Sequence, residues 1–195
     1  MCMRLVVLAL PLILALAFGS GARAGRPDEP PVTASTVTGT EPADGVTVTT
    51  NAEPEQFLPR KEWKKVRDVK RGLGPTSTED AASQCSNLVV ENGQGEPWAW
   101  PTPYFREYLQ LYWCWNYVSV TYCYRARGIS GARSWEFINW IGWGGSGGAG
   151  DGYCSVSSQG QWKLTRFGLP DAWCYPNEYE LAYPSGSYYW LKSGC

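Results

Sequence analysis

Apolar and polar positions alternate with period two through much of the C-terminal part of the chain. Leu111, Trp113 and Trp115 alternate with Tyr112 and Cys114, and Val118 and Val120 then alternate with Ser119 and Thr121. Successive side chains of a strand point to opposite faces, so each alternation predicts a strand with one face toward a core. Asn116-Tyr117, between the two runs, predicts a hairpin turn that places Cys114 opposite Ser119. "SNLVVENG" (86–93) predicts a strand ending in a turn, and "RSWEFINWI" (133–141) predicts another strand. "YCSVSSQGQWKLTRFG" (153–168) reads as a hairpin about Gln159-Gly160, and "EYELAYPSGSYYWLK" (178–192) as one about Pro184 to Ser187. Short strands with frequent turn signals, and no competing helical period, predict an all-β domain over 81–195. The expected architecture is a small antiparallel β-sandwich or barrel.

Upstream the pattern changes three times. Arg4 precedes an apolar run, Leu5 to Phe18, and small residues follow, ending Ala22-Arg23-Ala24. This is the layout of a secretory signal peptide over 1–24, so the protein is expected to be secreted, with the mature chain starting near Gly25. The run is too short to cross about 30 Å of hydrocarbon, and no membrane span is expected. Residues 25–56 are rich in Pro, Thr and Glu, contain no aromatic, and set six acids against Arg26. Such a segment buries too little apolar surface to offset its ordering entropy, which predicts a disordered N-terminal linker. Residues 57–80 reverse the sign. "RKEWKKVRDVKR" (60–71) carries seven bases and two acids, while Trp63, Val66, Val69 and Leu73 recur at spacings of three and four. Those spacings suit one helical face, with Pro59 placed to open it. The segment reads as a solvated, part-formed short helix rather than as a basic contact for an acidic envelope polymer or for the domain's own surface.

Cysteines and histidines narrow the chemistry. Six cysteines follow the leader: Cys85, Cys114, Cys123, Cys154, Cys174 and Cys195. An even number in an exported chain predicts a disulfide-stabilised domain, with the pairing left open. Cys114 and Cys123 are expected not to join each other, because the turn that would pair them falls inside a β-branched run. No C-x-x-C spacing and no histidine occur, so neither a metal site nor a cofactor is expected. Without histidine there is no Ser-His-Asp or Cys-His triad and no imidazole base. Net charge over 81–195 is −1, from seven bases and eight acids, which implies no nucleic-acid partner.

Carboxylates remain as a catalytic resource. Glu178 and Glu180 share one face of a strand, and they read as glutamates on a solvent face rather than as a glycosidase pair. Glu136 and Asp151 lie elsewhere, and no residue is assigned a catalytic role. "GWGGSGGAGDG" (142–152) matches G-x-G-x-x-G but is followed by a strand, so it reads as a mobile loop rather than a dinucleotide site.

Aromatics supply the functional hint. Ten of eleven tryptophans and all twelve tyrosines lie in 81–195, more than a core of this size readily encloses. Trp98 and Trp100 in "EPWAWPTPY", Trp143 before the glycine run, and Tyr188 and Trp190 on the last strand are the candidates for an exposed ligand platform. Trp113 and Trp115 share a face and are expected to be buried together.

"WCWNYVSV", a spaced "INWIGW", "GGAG" and "SSQGQWKL" resemble a group of secreted, Trp-rich β-domain proteins of Gram-positive bacteria, over roughly 105–190. The resemblance implies an exported β domain and assigns no catalytic residue. The acidic Pro/Thr segment is similar to linkers of secreted polysaccharide-degrading enzymes. The reading these features favour is a secreted, non-catalytic binding module for polysaccharide or cell-wall glycan. The alternatives are an extracellular protein-interaction module, inhibitor or toxin-like, and a carboxylate-dependent glycosidase.

Overall fold

A computed structural model describes residues 36–71 and 83–195. The chain runs β1 (Thr36–Gly39), β2 (Val46–Thr50), α1 (Pro54–Phe57), α2 (Arg60–Lys70), β3 (Gln84–Gln94), β4 (Tyr104–Trp115) and β5 (Val120–Arg133). It continues β6 (Trp135–Gly147), β7 (Cys154–Leu164), β8 (Ala172–Cys174), β9 (Asn177–Ala182) and β10 (Tyr188–Ser193). Two antiparallel sheets form a sandwich, as the alternation predicted. One has the order β1-β10-β9-β7-β6 with β8 also on β7; the other has the order β2-β3-β4-β5. No helix among the described residues is long and apolar enough to cross a membrane.

β4 contributes to all three cores, including the cluster of Phe105 with Trp135, Trp162 and Cys174. Leu109, Leu111, Trp113 and Trp115 point between the sheets, where they pack with Val90, Val156, Ala182 and Trp190. Tyr112 and Cys114 point the other way and lie under Ala52, Leu58 and Val66 of the helical segment. Leu111 through Trp115 are therefore all buried, and the density of aromatics there serves packing on two faces rather than one. Trp113 and Trp115 share the inner face with ring centroids 5.7 Å apart, as expected.

Several expectations are corrected. The linker expected over 25–56 is folded from 36 onward; its residues 25–35 lie outside the described residues, as does the signal peptide expected over 1–24. β1 pairs with β10 and β2 with β3, and Val46 enters the core. Alternating Thr and Val suit an edge strand, whose stability comes from a ladder supplied by the neighbouring strand. The helix over 60–70 is formed and is not simply solvated. Val66 is fully buried on β3 and β4, Trp63 Nε1 donates to Leu58 O at 2.8 Å, and Tyr122 Oη donates to Glu62 Oε2 at 3.0 Å. Burial and the hydrogen bond to Glu62 push the Tyr122 phenol above its usual range.

The β4–β5 turn spans 116–119, so Cys114 sits opposite Tyr122, not Ser119, and Cys123 sits opposite Trp113. Cys114 faces the helices and Cys123 the inner core, so they cannot meet. The bonds are Cys85–Cys114, Cys123–Cys154 and Cys174–Cys195, and all six cysteines are used. The hairpin read at Gln159-Gly160 does not exist: β7 runs unbroken through it. The glycine there makes room for the Glu107 carboxyl, which a Cβ would strike. The first part of the glycine run is strand β6. The hairpin between β9 and β10 lies where predicted.

β5 and β6 are consecutive but belong to different sheets, and the chain turns between them at Ser134, in the left-handed region at φ 66°. Arginines close this seam. Arg125 Nε donates to Ser155 O at 2.8 Å and its Nη2 to Ser146 O and Gly147 O at 3.0 and 2.8 Å. Arg127 Nη1 donates to Gly142 O at 2.7 Å.

Candidate functional site

The β3–β4 loop, residues 95–103, leaves the second sheet at one end of the sandwich. Gly95, at φ 72°, folds the loop back toward Pro103, an approach that a Cβ would block. Arg133 at the end of β5 then pins it. Its guanidinium lies 4.8 Å from the Trp100 ring centre and 4.9 Å from that of Tyr104, and it donates to Pro97 O. Cation–π contacts of this kind hold the loop without burying its rings. Trp98 and Trp100 consequently stand 78% and 79% exposed on a braced loop.

Beside Trp98 opens a groove of about 680 Å³, whose wall is mainly polar: Glu91 and Asn92 of β3, Glu96 of the loop, Arg106 of β4, Asp44 and Lys192. Asn92 Nδ2 donates to Ser193 O at 3.0 Å, which joins the two sheets across the groove floor. Lys192 Nζ donates to the backbone oxygens of Asp44 and Glu91 at 2.5 and 3.4 Å. Burial lowers its ammonium pKa, against the pull of the Asp44 charge. Arg106 reaches Glu96 Oε2 at 3.4 Å and its own neighbour's carbonyl, Phe105 O, at 3.0 Å. The groove thus offers acceptors and held donors beside an exposed indole face.

The five predicted platform residues separate. Trp98 and Trp100 are exposed on one loop, and Trp98 borders the groove. Trp143 is 48% exposed, but one face is covered by the Arg127 guanidinium, 4.5 Å from its centre and 4.6 Å from that of Trp140. Trp190 is corrected to core: it is 2% exposed, and its Nε1 donates to Glu41 O at 2.9 Å. Tyr188 is half-buried against the same core, with its ring centre 6.4 Å from that of Trp113. β1 and the 40–45 crossover make an inner strand of β10, in place of the exposed terminal strand that the sequence predicts. Lys192, Arg106, Asn92 and Arg133 were not legible as site residues, because they come from four different strands that only the fold brings to one end.

The strand glutamates are a second correction. Glu178 and Glu180 point inward, not to solvent, and Glu107 of β4 joins them; all three are fully buried. Trp162 Nε1 donates to Glu107 Oε2 at 2.6 Å, Ser158 Oγ to Glu178 Oε2 at 2.7 Å, and the Val90 N–H to Glu180 Oε1 at 3.1 Å. The second oxygen of each takes no N–H or hydroxyl donor among the described residues. Desolvation disfavours the charged form, so burial pushes Glu107 up to about 7 and Glu178 and Glu180 well above the carboxylate range. For Glu107 the Trp162 N–H, then a proton shared with the Glu178 carboxyl, and last the Arg127 charge act against this, while the neighbouring Glu107 raises Glu178 further. These carboxyls are outside the groove. Among the described residues no group of three or more His, Cys, Asp or Glu is placed to hold a metal ion.

Comparison finds no matching family model, no matching curated protein and no matching solved structure.

Proposed function

We propose that this chain is an exported, non-catalytic glycan-binding module whose site is the Trp98 groove. The observation that carries the reading is the exposed, braced indole of Trp98 at the rim of a polar groove. A sugar ring presents apolar C–H faces and a rim of hydroxyls, and such a surface meets both with a flat ring beside side-chain donors and acceptors. Bracing by Arg133 means that little loop entropy is lost on binding. Three disulfides suit an oxidising compartment, which supports the export reading of the leader.

The test is co-sedimentation of the oxidised protein with a panel of insoluble polysaccharides, including cell-wall glycan. Trp98→Ala is expected to weaken binding by about 30-fold, the effect of removing a central aromatic anchor worth ~2 kcal/mol. Its melting temperature should stay unchanged. Binding that survives Trp98→Ala, or a panel on which nothing binds, defeats the proposal. A second reading, a protein partner, is favoured by the 165–171 loop. There Arg166 donates to Pro170 O at 3.0 and 2.7 Å and holds a turn with Phe167 fully exposed at its tip.

A further inference from the structure

The structure shows what the basic segment presents. Docking of α2 through Val66 fixes which side of the helix faces out. Arg60, Lys64, Arg67 and Arg71 are all exposed. Their spacings of four, three and four residues keep them within about 60° of arc on a helix of 3.6 residues per turn. They form one stripe roughly 16 Å long, pointing away from the buried Val66. Of the four, only Arg67 has a carboxylate within ion-pair distance among the described residues, Glu55 at 3.8 Å.

Helix physics does not ask for this arrangement. Like charges at three- and four-residue spacing repel, and Arg60 in the first turn opposes the helix dipole, which favours only Arg67 and Arg71 at the other end. The segment 60–71 carries seven bases and two acids, +5, while the whole chain is −1, so the remainder is −6. A concentrated positive track on an otherwise acidic protein is the electrostatic footprint of a surface for a polyanion.

We infer that the outer face of α2 binds a linear anionic polysaccharide through Arg60, Lys64, Arg67 and Arg71. A nucleic acid is the poorer fit. Trp63, the one aromatic of the helix, is half-buried with its N–H on Leu58 O, which leaves no ring for bases to stack on. A lipid surface is the poorer fit as well, because the apolar side of the helix is spent against the sheet. The stripe is independent of the groove. Val66 packs at the Cys85–Cys114 end of β4, while the Trp98 loop leaves from the Tyr104 end.

The experiment is retention of the oxidised protein on immobilised heparin, used as a linear sulfated probe, at several salt concentrations. Four contacts predict a slope of log affinity against log salt near −3, or about 60-fold weakening between 50 and 200 mM. Lys64→Gln with Arg67→Gln should halve the slope, to about eightfold weakening over that range. Lys61→Gln with Lys65→Gln removes the same charge beside the stripe and should leave the slope unchanged. Trp98→Ala should also leave it unchanged while weakening groove binding about 30-fold, which separates the two sites. If the first pair fails to fold, Lys64→Gln and Arg71→Gln singly carry the test, each removing about a quarter of the slope. The inference is overturned by equal slopes for both double variants or by no salt-dependent retention. Tighter binding to single-stranded DNA, or to vesicles rich in phosphatidylserine, than to heparin overturns it too.

Discussion

Raising the pH should destabilise this fold from within, and Glu107 sets the size of the effect. Its carboxyl is fully buried between the sheets, takes one hydrogen bond from Trp162, and is held at about 7 against an ordinary 4.5. The folded protein therefore binds this proton more tightly than the unfolded chain does. Stability from this source is fully present below about pH 4.5 and is lost as pH rises through about 7. The interval, 7 − 4.5, is 2.5 pH units, and at about 1.4 kcal/mol per unit the loss by pH 8 to 9 is ~3 kcal/mol. That is a large share of the ~5–15 kcal/mol that holds a typical domain together. Glu178 and Glu180, also raised by burial and by their neighbouring carboxyls, act in the same direction. Arg127 and Lys192 are the cations that oppose them, and neither forms an ion pair with the cluster. Glu107→Gln keeps an acceptor for Trp162 and removes the titration. Urea unfolding with the disulfides intact, at pH 5 and pH 9, measures both proteins. They should be close at pH 5, and the variant should be more stable by ~3 kcal/mol at pH 9, equivalent to roughly 10 °C in Tm. A wild-type curve that is flat or rising between the two pH values refutes the reasoning. So does a stability difference between wild type and variant that is the same at both.

Trp190→Ala should cost ~3–5 kcal/mol in denaturant unfolding, as truncation of a buried indole does, whereas Trp98→Ala should cost almost nothing. Replacing Cys123 and Cys154 together by Ser should lower stability by ~2–4 kcal/mol, because this bond is the one that ties β5 of one sheet to β7 of the other. Gly145→Val should cost ~1–3 kcal/mol, since a Cβ there would lie 2.6 Å from Arg125 Nε and displace the guanidinium from the carbonyls it joins across the seam. Calorimetry of the oxidised protein checks both.

Periodicity along the chain identified the all-β class and stated which residues share a face, although it missed β1 and β2, broke β7 at Gly160 and left the glycine end of β6 as a loop. Trp113 with Trp115, Tyr112 with Cys114, and Glu178 with Glu180 are each on a common face, as the alternation required. Trp98 and Trp100 were legible among the exposed candidates and are exposed, although the Arg133 that braces their loop was not legible. Cysteine number and the absence of histidine bounded the chemistry without any coordinates.

The alternation does not say which of two faces is covered, and that depends on segments distant in sequence. Trp190 and Glu180 are buried because β10 and β9 face β3 and β4, and because β1, some 150 residues earlier in the chain, covers the edge of β10. β1 and β2 in turn have too little apolar surface to fold alone; they order by completing ladders and by contributing Val46 to a core already formed. Gly160 reads locally as a turn residue, yet it lies in mid-strand because Glu107 of the opposite sheet occupies the space of a side chain. The disulfide partners and the Arg133 brace are equally non-local. A strand's own pattern encodes the direction of each side chain, while burial, pairing and the raised carboxyl pKa values arise only when remote strands meet and exclude water between them.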